Sequence, residues 1–550
     1  MDTRRLILFV IFSFSILMLW DSWQQKNKPI NVAQQETQLP SKSNASAGAG
    51  NVSNLNGSTD NNANGGSFKL EKGQRIAVKT DLYQAEIDTV GGDLRHLVLN
   101  KHRAANAKDG NFVLMDDAQT PMLYVAQTGL MGNQLPNHKS LFSSAATSYT
   151  LAPDQASQDV RLTWVGNGIT VDKIYTFHRN SYVIDVNYQI NNASAAAITP
   201  AVYYQIVHDN QSKQGSKMMP TFTGGAYFTA ADKFKKIKFK DMETTDLSKT
   251  SKDGWIGLVE HYFVSAWIPK STINREFYTK KLTDNIFAVG VVTPLASIAA
   301  GSTAEADAQL FAGPQMHADL AAAAPGLEYT VDYGWLTIIA TPLFWVLSKI
   351  YALVHNWGVA IIIVTILIKA AFYPLSAKSY RSMAQMRELA PRLQSMKEKF
   401  GDDKQKMQQA MMELYRTEKI NPMGGCLPII VQIPVFISFY WMLLGTVELR
   451  HAPFFGWIQD LSAIDPWYVL PILMGATMVI QTFLNPPPTD PIQAKVMKIM
   501  PVVFSVFFFF FPAGLVLYWL VNNILSISQQ WYVNKTIHVA ALAKKALTNK

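Results

Sequence analysis

The chain has 550 residues, 49% hydrophobic and 11% aromatic, so it is long enough for more than one domain. Its net charge of +9 is compatible with nucleic-acid binding, but the basic residues flank hydrophobic runs, and the positive-inside rule for membrane proteins explains them more simply. The single cysteine, Cys426, excludes an internal disulfide framework and a CxxC metal or redox site.

The N-terminus predicts a membrane anchor followed by a tether. Arg4 and Arg5 precede an apolar stretch that no small-residue cleavage site follows. We therefore interpret residues 1–21 as an uncleaved signal anchor that starts in the cytoplasm. Residues 22–67 are rich in Asn, Ser, Gln, Gly and Ala, and this composition buries too little apolar surface to offset the entropy of ordering. We expect a flexible linker there.

Residues 68–325 show the sequence pattern of β-strands. Short runs alternate between apolar and polar residues, and Asn-Gly and Gly-Gly pairs separate them. One such run contains Tyr182, Ile184, Val186, Tyr188 and Ile190. We predict an all-β sandwich of roughly 250 residues, outside the membrane and facing the periplasm.

From residue 335 onward the chain is apolar again. Residues 335–354 are apolar enough for a span, but only two residues separate them from the next apolar run. We therefore predict an amphipathic helix that lies in the outer membrane interface. Further predicted segments are spans at 357–375, 425–447, 468–484, 499–511 and 515–533, a cytoplasmic helical hairpin at 376–423 and a basic cytoplasmic tail at 534–550.

The last apolar run is too long for one span. Pro512-Ala513-Gly514 predicts a break within it. With the signal anchor, this gives six spans and places both termini in the cytoplasm, where the basic tail belongs. The fifth span would have thirteen residues, a length of about 20 Å. Because the hydrocarbon core is thicker, we expect the bilayer to be thinned there.

One lysine lies within these predicted spans. A charge at the bilayer centre costs on the order of 2.5–3.5 kcal/mol, so Lys369 either snorkels to the interface or marks a functional site. Other polar residues also lie on the predicted spans, namely Thr365, Gln432, Asn522, Asn523, Ser526 and Ser528, and Tyr518 and Trp519 are close to them in the sequence. Each of them alone is compatible with a simple interhelical hydrogen bond. Together they predict a hydrated cavity open to the cytoplasm.

Three stretches resemble one known family. They are NPMGGCLPIIVQIPVFISFYWML at residues 421–443, FPAGLVLYWLVNN at 511–523, and KAAFYPLSAKSYRSMAQM beginning at Lys369. They are similar to the YidC/Oxa/Alb family of membrane insertases, and the exported β domain after a signal anchor resembles its Gram-negative bacterial branch. The resemblance covers nearly the whole chain.

The resemblance implies a polytopic α-helical membrane protein in the bacterial inner membrane, with a five-helix insertase core and a periplasmic β super-sandwich. It implies a groove open to the cytoplasm with one positive charge, which falls on Lys369 where relatives carry arginine. A Tyr-Tyr pair of relatives is replaced by Tyr518-Trp519. The predicted groove residues are Lys369, Thr365, Gln432, Tyr518, Trp519 and Asn522. Implied partners are nascent membrane proteins, the SecYEG translocon, the ribosome and membrane lipids.

The expected function is insertion and chaperoning of membrane proteins, without covalent chemistry. The sequence has no Walker A, HExxH or GxSxG motif, and we expect no catalytic residue, cofactor or metal. One alternative is a secondary transporter that uses Lys369, although we find no internal repeat with paired broken helices. Another is a periplasmic carbohydrate-binding or -processing protein, for which His208, Asp209, Glu260 and His261 are candidate acid–base groups. We interpret these four as surface polar residues.

Overall fold

The computed structural model describes residues 70–104, 110–117, 123–211, 221–283, 285–400, 403–418, 427–485 and 491–548. The predicted signal anchor and linker, residues 1–67, lie outside the described residues, as do the first two residues of the predicted third span.

Two large β-sheets form the first half of the described chain. One sheet consists of β14 (Ser248–Ser251), β17 (Arg275–Thr283), β18 (Ile286–Pro294), β11 (Ala201–Asp209), β5 (Tyr124–Met131), β3 (Asp93–Arg103), β2 (Tyr83–Asp88), β1 (Arg75–Lys79) and β7 (Ser148–Thr150), in this order, and β4 (Asn111–Met115) also pairs with β3. The other consists of β13 (Lys233–Lys238), β12 (Gly224–Thr229), β15 (Trp255–Glu260), β16 (Phe263–Pro269), β19 (Ser302–Pro314), β10 (Val183–Asn192), β9 (Ile169–His178), β8 (Ser157–Gly166) and β6 (Ser143–Ser144).

The two sheets enclose a common core, which confirms the predicted all-β sandwich. In β10 the residues Ile184, Val186, Tyr188 and Ile190 are buried, as the period-two pattern predicts. Across the core, the ring of Trp267 packs 5.1 Å from that of another buried aromatic residue, Tyr204 of the facing sheet. The strands β1 and β7 pair in parallel, whereas the other ladders are antiparallel in the described part of the chain.

A fully buried lysine also joins the two sheets. Lys173 on β9 donates hydrogen bonds to the carbonyl oxygens of Gly91, Gly92 and Thr128, at 2.7, 3.2 and 2.8 Å. Burial lowers the pKa of Lys173, and the negative charge of the nearby, equally buried Asp93 opposes that shift. The charge is thus satisfied by backbone dipoles and a counter-ion, as buried charges require.

The second half of the described chain is helical. After the short α1 (Phe239–Met242) in the β domain come α2 (His317–Ala323), α3 (Thr337–Val354), α4 (Trp357–Ala371), α5 (Tyr373–Glu388), α6 (Ala390–Phe400), α7 (Lys404–Thr417), α8 (Leu427–Gly445), α9 (Val469–Leu484), α10 (Pro491–Phe508) and α11 (Ala513–Thr548). Helix α11 packs against α4, α5, α9 and α8 and so forms the centre of this region.

Helix α3 is, among the described residues, the one helix whose length and composition alone suffice to cross a membrane. Only His355 and Asn356 separate α3 from α4, and they do allow a sharp turn. His355 takes a left-handed conformation with φ of 51°, and the Asn356 side chain caps α4. The stacked rings of Tyr351 and Trp357, 4.0 Å apart, hold the two helices together. The interfacial placement of α3, like the count of six spans, therefore stays a prediction.

Two predicted spans do not coincide with single helices, and their bounds as membrane spans stay predictions. The helix after the turn ends at Ala371 rather than at residue 375, and α5 continues at an angle of 66°. Pro374 lies in the first turn of α5, where its missing N–H costs nothing, and it cannot extend α4. Likewise α10 runs from Pro491 to Phe508 and has 18 residues, whereas the fifth span was predicted at 499–511. The predicted break before α11 is confirmed.

The β domain touches the segment between α8 and α9. The Arg450 guanidinium donates to the carbonyl of Arg103 and lies 5.4 and 5.6 Å from the ring centres of Phe112 and Phe263. Nearby, His261 Nε2 lies 3.0 Å from the carbonyl oxygen of Leu444, which only accepts, so this nitrogen carries the proton. Burial lowers the pKa of His261 to about 4.

Candidate functional site

Lys369 lies where α4, α5 and α11 meet. Its Nζ atom donates a hydrogen bond of 2.7 Å to Ser526 Oγ on α11, and that hydroxyl donates in turn to the carbonyl oxygen of Asn522, also at 2.7 Å. The Tyr380 hydroxyl of α5 also interacts with Ser526. Among the described residues, no carboxylate oxygen lies within 4 Å of Lys369 Nζ, and the neutral hydroxyl of Ser526 is its hydrogen-bond partner.

A second hydrogen bond joins α8 to the same cluster. Gln432 Nε2 donates to Asn522 Oδ1 at 2.7 Å. Lys369, Ser526, Asn522 and Gln432 therefore form one connected polar cluster that links α4, α11 and α8 inside apolar surroundings. Lys369, Asn522 and Gln432 are half-buried rather than sealed, so a further polar group can reach them.

Aromatic side chains form one wall beside the cluster. Tyr518 is buried, and its ring stacks on that of Phe439 at 4.3 Å. Trp519 contacts Phe436 edge to face at 4.2 Å and lies 5.3 Å from Phe508. The two aromatic residues thus pack α11 against α8 and α10, one turn before Asn522.

Thr365 does not join the cluster. Its buried hydroxyl donates to the carbonyl oxygen of Ile361 in its own helix, at 2.7 Å. The structure therefore brings together Lys369, Gln432 and Asn522, places Tyr518 and Trp519 beside them, and leaves Thr365 apart. Contact of any of these six residues with a client protein stays a prediction.

The role of Ser526 as the partner of Lys369 was missed in the sequence, although its position was noted. Tyr518, Asn522 and Ser526 are spaced four residues apart, so they share one face of α11. That spacing was the available signal for one polar stripe opposite Lys369.

The interpretation of His208, Asp209 and Glu260 as surface residues was wrong. His208 is 1% and Glu260 4% exposed, and His208 Nε2 lies 3.3 Å from Glu260 Oε1 between the two sheets. The rings of Tyr124 and Phe239 cover the histidine at 4.6 and 5.8 Å. Such an enclosed pair serves the packing of the β domain, and a sugar cannot reach it in this structure.

A β-sandwich joined to apolar helices that surround a polar cluster defines a membrane protein with a large domain outside the bilayer. The YidC periplasmic domain matches residues 75–346, and the 60Kd inner membrane protein family matches residues 349–541. The chain belongs to the YidC family of membrane protein insertases.

Relatives in this family align over the full chain. The "Membrane protein insertase YidC" of Methylobacillus flagellatus is 65% identical over 99% of both chains. The protein of the same name from Laribacter hongkongensis is 50% identical over 99% of this chain and 100% of the relative. The crystal structure of an active YidC insertase covers 84% of this chain and 93% of its own, with 18% identity and a TM-score of 0.40.

Proposed function

We propose that this chain inserts membrane proteins by receiving the hydrophilic part of a client at the Lys369 cluster. The observation that carries the proposal is the arrangement of Lys369 itself: a half-buried cation whose one described hydrogen-bond partner is the hydroxyl of Ser526. A lysine whose role was purely structural would be expected to have a counter-ion, because an unpaired charge in low dielectric is costly.

The function follows from the energetics of membrane crossing. A charged or polar segment pays a large free-energy penalty in hydrocarbon. Hydroxyl and amide groups of Ser526, Asn522 and Gln432 lower that penalty, and the positive charge attracts acidic segments. The apolar helix of the client then moves into lipid, where its transfer from water is favourable at about 25 cal/mol per Å².

The client is held by charge rather than by a rigid fork. A lysine ammonium is a compact point charge with three rotatable donors, whereas a guanidinium binds carboxylates through two parallel hydrogen bonds. In this chain the cation is a lysine, so electrostatic attraction is the better-supported mode.

We place both termini in the cytoplasm and the β domain in the periplasm, with nascent chains, SecYEG and the ribosome as partners.

Site-specific photo-crosslinking tests this proposal. A photoreactive phenylalanine analogue replaces Trp519, which borders the cluster, in the full-length chain. A ribosome-stalled single-span membrane protein is then presented to inner-membrane vesicles. We expect a crosslink to the stalled client from position 519.

The matched control places the same analogue at Trp345 of α3, an exposed tryptophan outside the cluster. We expect no more than background crosslinking there at the same stage. Equal crosslinking from both positions, or none from position 519 in vesicles that insert the client, would contradict the proposal.

A further inference from the structure

A cavity with a partly polar, partly apolar lining lies outside the Lys369 cluster. It has a volume of about 320 Å³, within the range of small-ligand sites, and lies between α5, α11 and the last residue of α9. Arg387 and Glu388 line it from α5, Gln530 and Asn534 from α11, and Leu484 from α9. None of these residues has a part in the proposed insertion mechanism.

Gln530 supplies the strongest sign that this cavity takes a ligand. Its side chain is only 1% exposed, and its Nε2 donates to the carbonyl oxygen of Leu484 and to Asn485 Oδ1, each at 3.2 Å. A backbone carbonyl only accepts, so the orientation of the amide is fixed. Gln530 Oε1 is buried and has no hydrogen-bond partner among the described residues, a costly state that a donor from a ligand would relieve.

Neighbouring residues indicate the depth of the cavity in the membrane. Trp531 and Tyr532 follow Gln530 on α11 and are exposed, and Lys535 Nζ lies 5.1 Å from the ring centre of Trp531. Exposed Trp and Tyr residues beside a basic residue are typical of the level of lipid headgroups. Helix α9 also ends here, just after the exposed, apolar Phe483.

The charges at the cavity define the headgroup. Arg387 is a cationic donor suited to a phosphate, whereas Glu388 is an anion that disfavours a second negative charge. Glu388 and Gln530 Oε1 are both acceptors, so the other end of the ligand is a cation with N–H donors. A phosphate joined to a primary ammonium satisfies all three groups, and a quaternary ammonium does not because it has no N–H.

We propose that this cavity binds the headgroup of a phospholipid with a primary ammonium, phosphatidylethanolamine, from the leaflet in which α9 ends. The phosphate contacts Arg387, and the ammonium donates to Glu388 and Gln530. This binding does not depend on whether the Lys369 cluster receives clients.

Retention of lipid by the full-length chain tests the proposal. The protein is reconstituted in phosphatidylcholine nanodiscs that contain equal minor fractions of phosphatidylethanolamine and phosphatidylglycerol, and retained lipids are counted by native mass spectrometry after gentle release. We expect phosphatidylethanolamine to be enriched over both other lipids. Glu388→Gln removes the negative charge that faces the ammonium, and Gln530→Leu removes an acceptor for it, so each variant should weaken retention about tenfold.

Glu398→Gln on α6 and Arg381→Gln on α5 are matched controls, because both residues are exposed and outside the cavity lining; they should retain the lipid like the parent. Glu388 is also exposed, so its variant tests the site even if Gln530→Leu misfolds. Preference for phosphatidylglycerol, retention in bulk proportion, or unchanged retention by Glu388→Gln would overturn the proposal. Displacement of the lipid by equimolar soluble phosphoethanolamine would overturn the lipid as its source.

Discussion

Two lysines, one fully buried and one half-buried, distinguish the two regions of this molecule. In the β domain, Lys173 is fully buried, with three backbone carbonyls as acceptors, the charge of Asp93 nearby and the rings of Phe142 and Tyr188 at 5.4 and 5.5 Å. In the helical region, Lys369 is half-buried, and a single hydroxyl accepts its described hydrogen bond.

The difference shows how a protein uses the same residue for structure or for function. The acceptors around Lys173 satisfy its donors completely, so nothing is left for a ligand, and its removal would take a donor from three buried carbonyls and a positive charge from the surroundings of Asp93. Lys369 keeps donor capacity and charge that its surroundings do not neutralise. Satisfied buried charges hold a fold together, whereas unsatisfied ones indicate a site.

The largest effect is expected from Lys173→Met. Removing one member of a buried charged group costs about 3–5 kcal/mol of the free energy of unfolding. The midpoint temperature of the β-domain unfolding transition, measured by calorimetry of the full-length chain, should fall accordingly. Lys79→Met, at an exposed position of β1, should change the free energy of unfolding by less than about 0.5 kcal/mol. An unchanged midpoint temperature in Lys173→Met would contradict the claim that Lys173 stabilises the β domain.

A smaller effect is expected at the contact between the two regions when the pH falls. Burial lowers the pKa of docked His261 to about 4, against the opposite effect of its hydrogen bond to Leu444, so a histidine that undocking exposes, with a pKa closer to the ordinary 6.5, takes up a proton first. Docking is therefore fully present above pH 6.5 and weakens as the pH falls towards 4, by about 1–2 kcal/mol at pH 5. Hydrogen exchange of residues 444–450, corrected for intrinsic rates, should rise at pH 5 relative to pH 7.

The control for this prediction is His261→Gln, which keeps an N–H donor for Leu444 but does not titrate. Its exchange in residues 444–450 should be nearly independent of pH over this range. If the variant loses protection at pH 5 as strongly as the parent, another group causes the weakening.

The smallest effect on insertion is expected from removing the β domain. The Lys369 cluster uses α4, α5, α8 and α11, and none of its hydrogen bonds comes from a strand. Deletion of residues 56–314, with the anchor and α3 kept, should therefore preserve insertion of a single-span client in a depletion strain. Complete loss of insertion by a stably expressed deletion would show that the two regions act as one.

Local patterns in the sequence predicted the elements well but not their partners. The alternation around Tyr188 gave the sandwich, and Pro512 with Gly514 gave the break before α11. Lys369 and Ser526 are 157 residues apart in the sequence. Their approach depends on how α4 and α11 are rotated against each other, which no local pattern encodes. Burial of His208 was missed because β11 is buried on both faces, so its polar residues do not alternate outward.

The bend between α4 and α5 shows the same limit at short range. Hydropathy continues past Phe372, so the apolar run predicts a span to residue 375. Pro374 signals a helix start as well as an end, and the choice depends on the packing of α5 against α11. The cluster residues were predictable by type, because polar groups in apolar runs stand out, but their hydrogen bonds were not.

The central claim is that Lys369 acts through its charge, and one measurement tests it most directly. Lys369→Arg and Lys369→Ala are compared with the parent in a depletion strain, by insertion of a single-span client whose exported segment is acidic or neutral. We predict near-parent insertion by Lys369→Arg and a defect in Lys369→Ala that is at least several-fold larger for the acidic client, since only the charge is lost. Equal insertion of acidic and neutral clients by Lys369→Ala, at the level of the parent, would contradict the account.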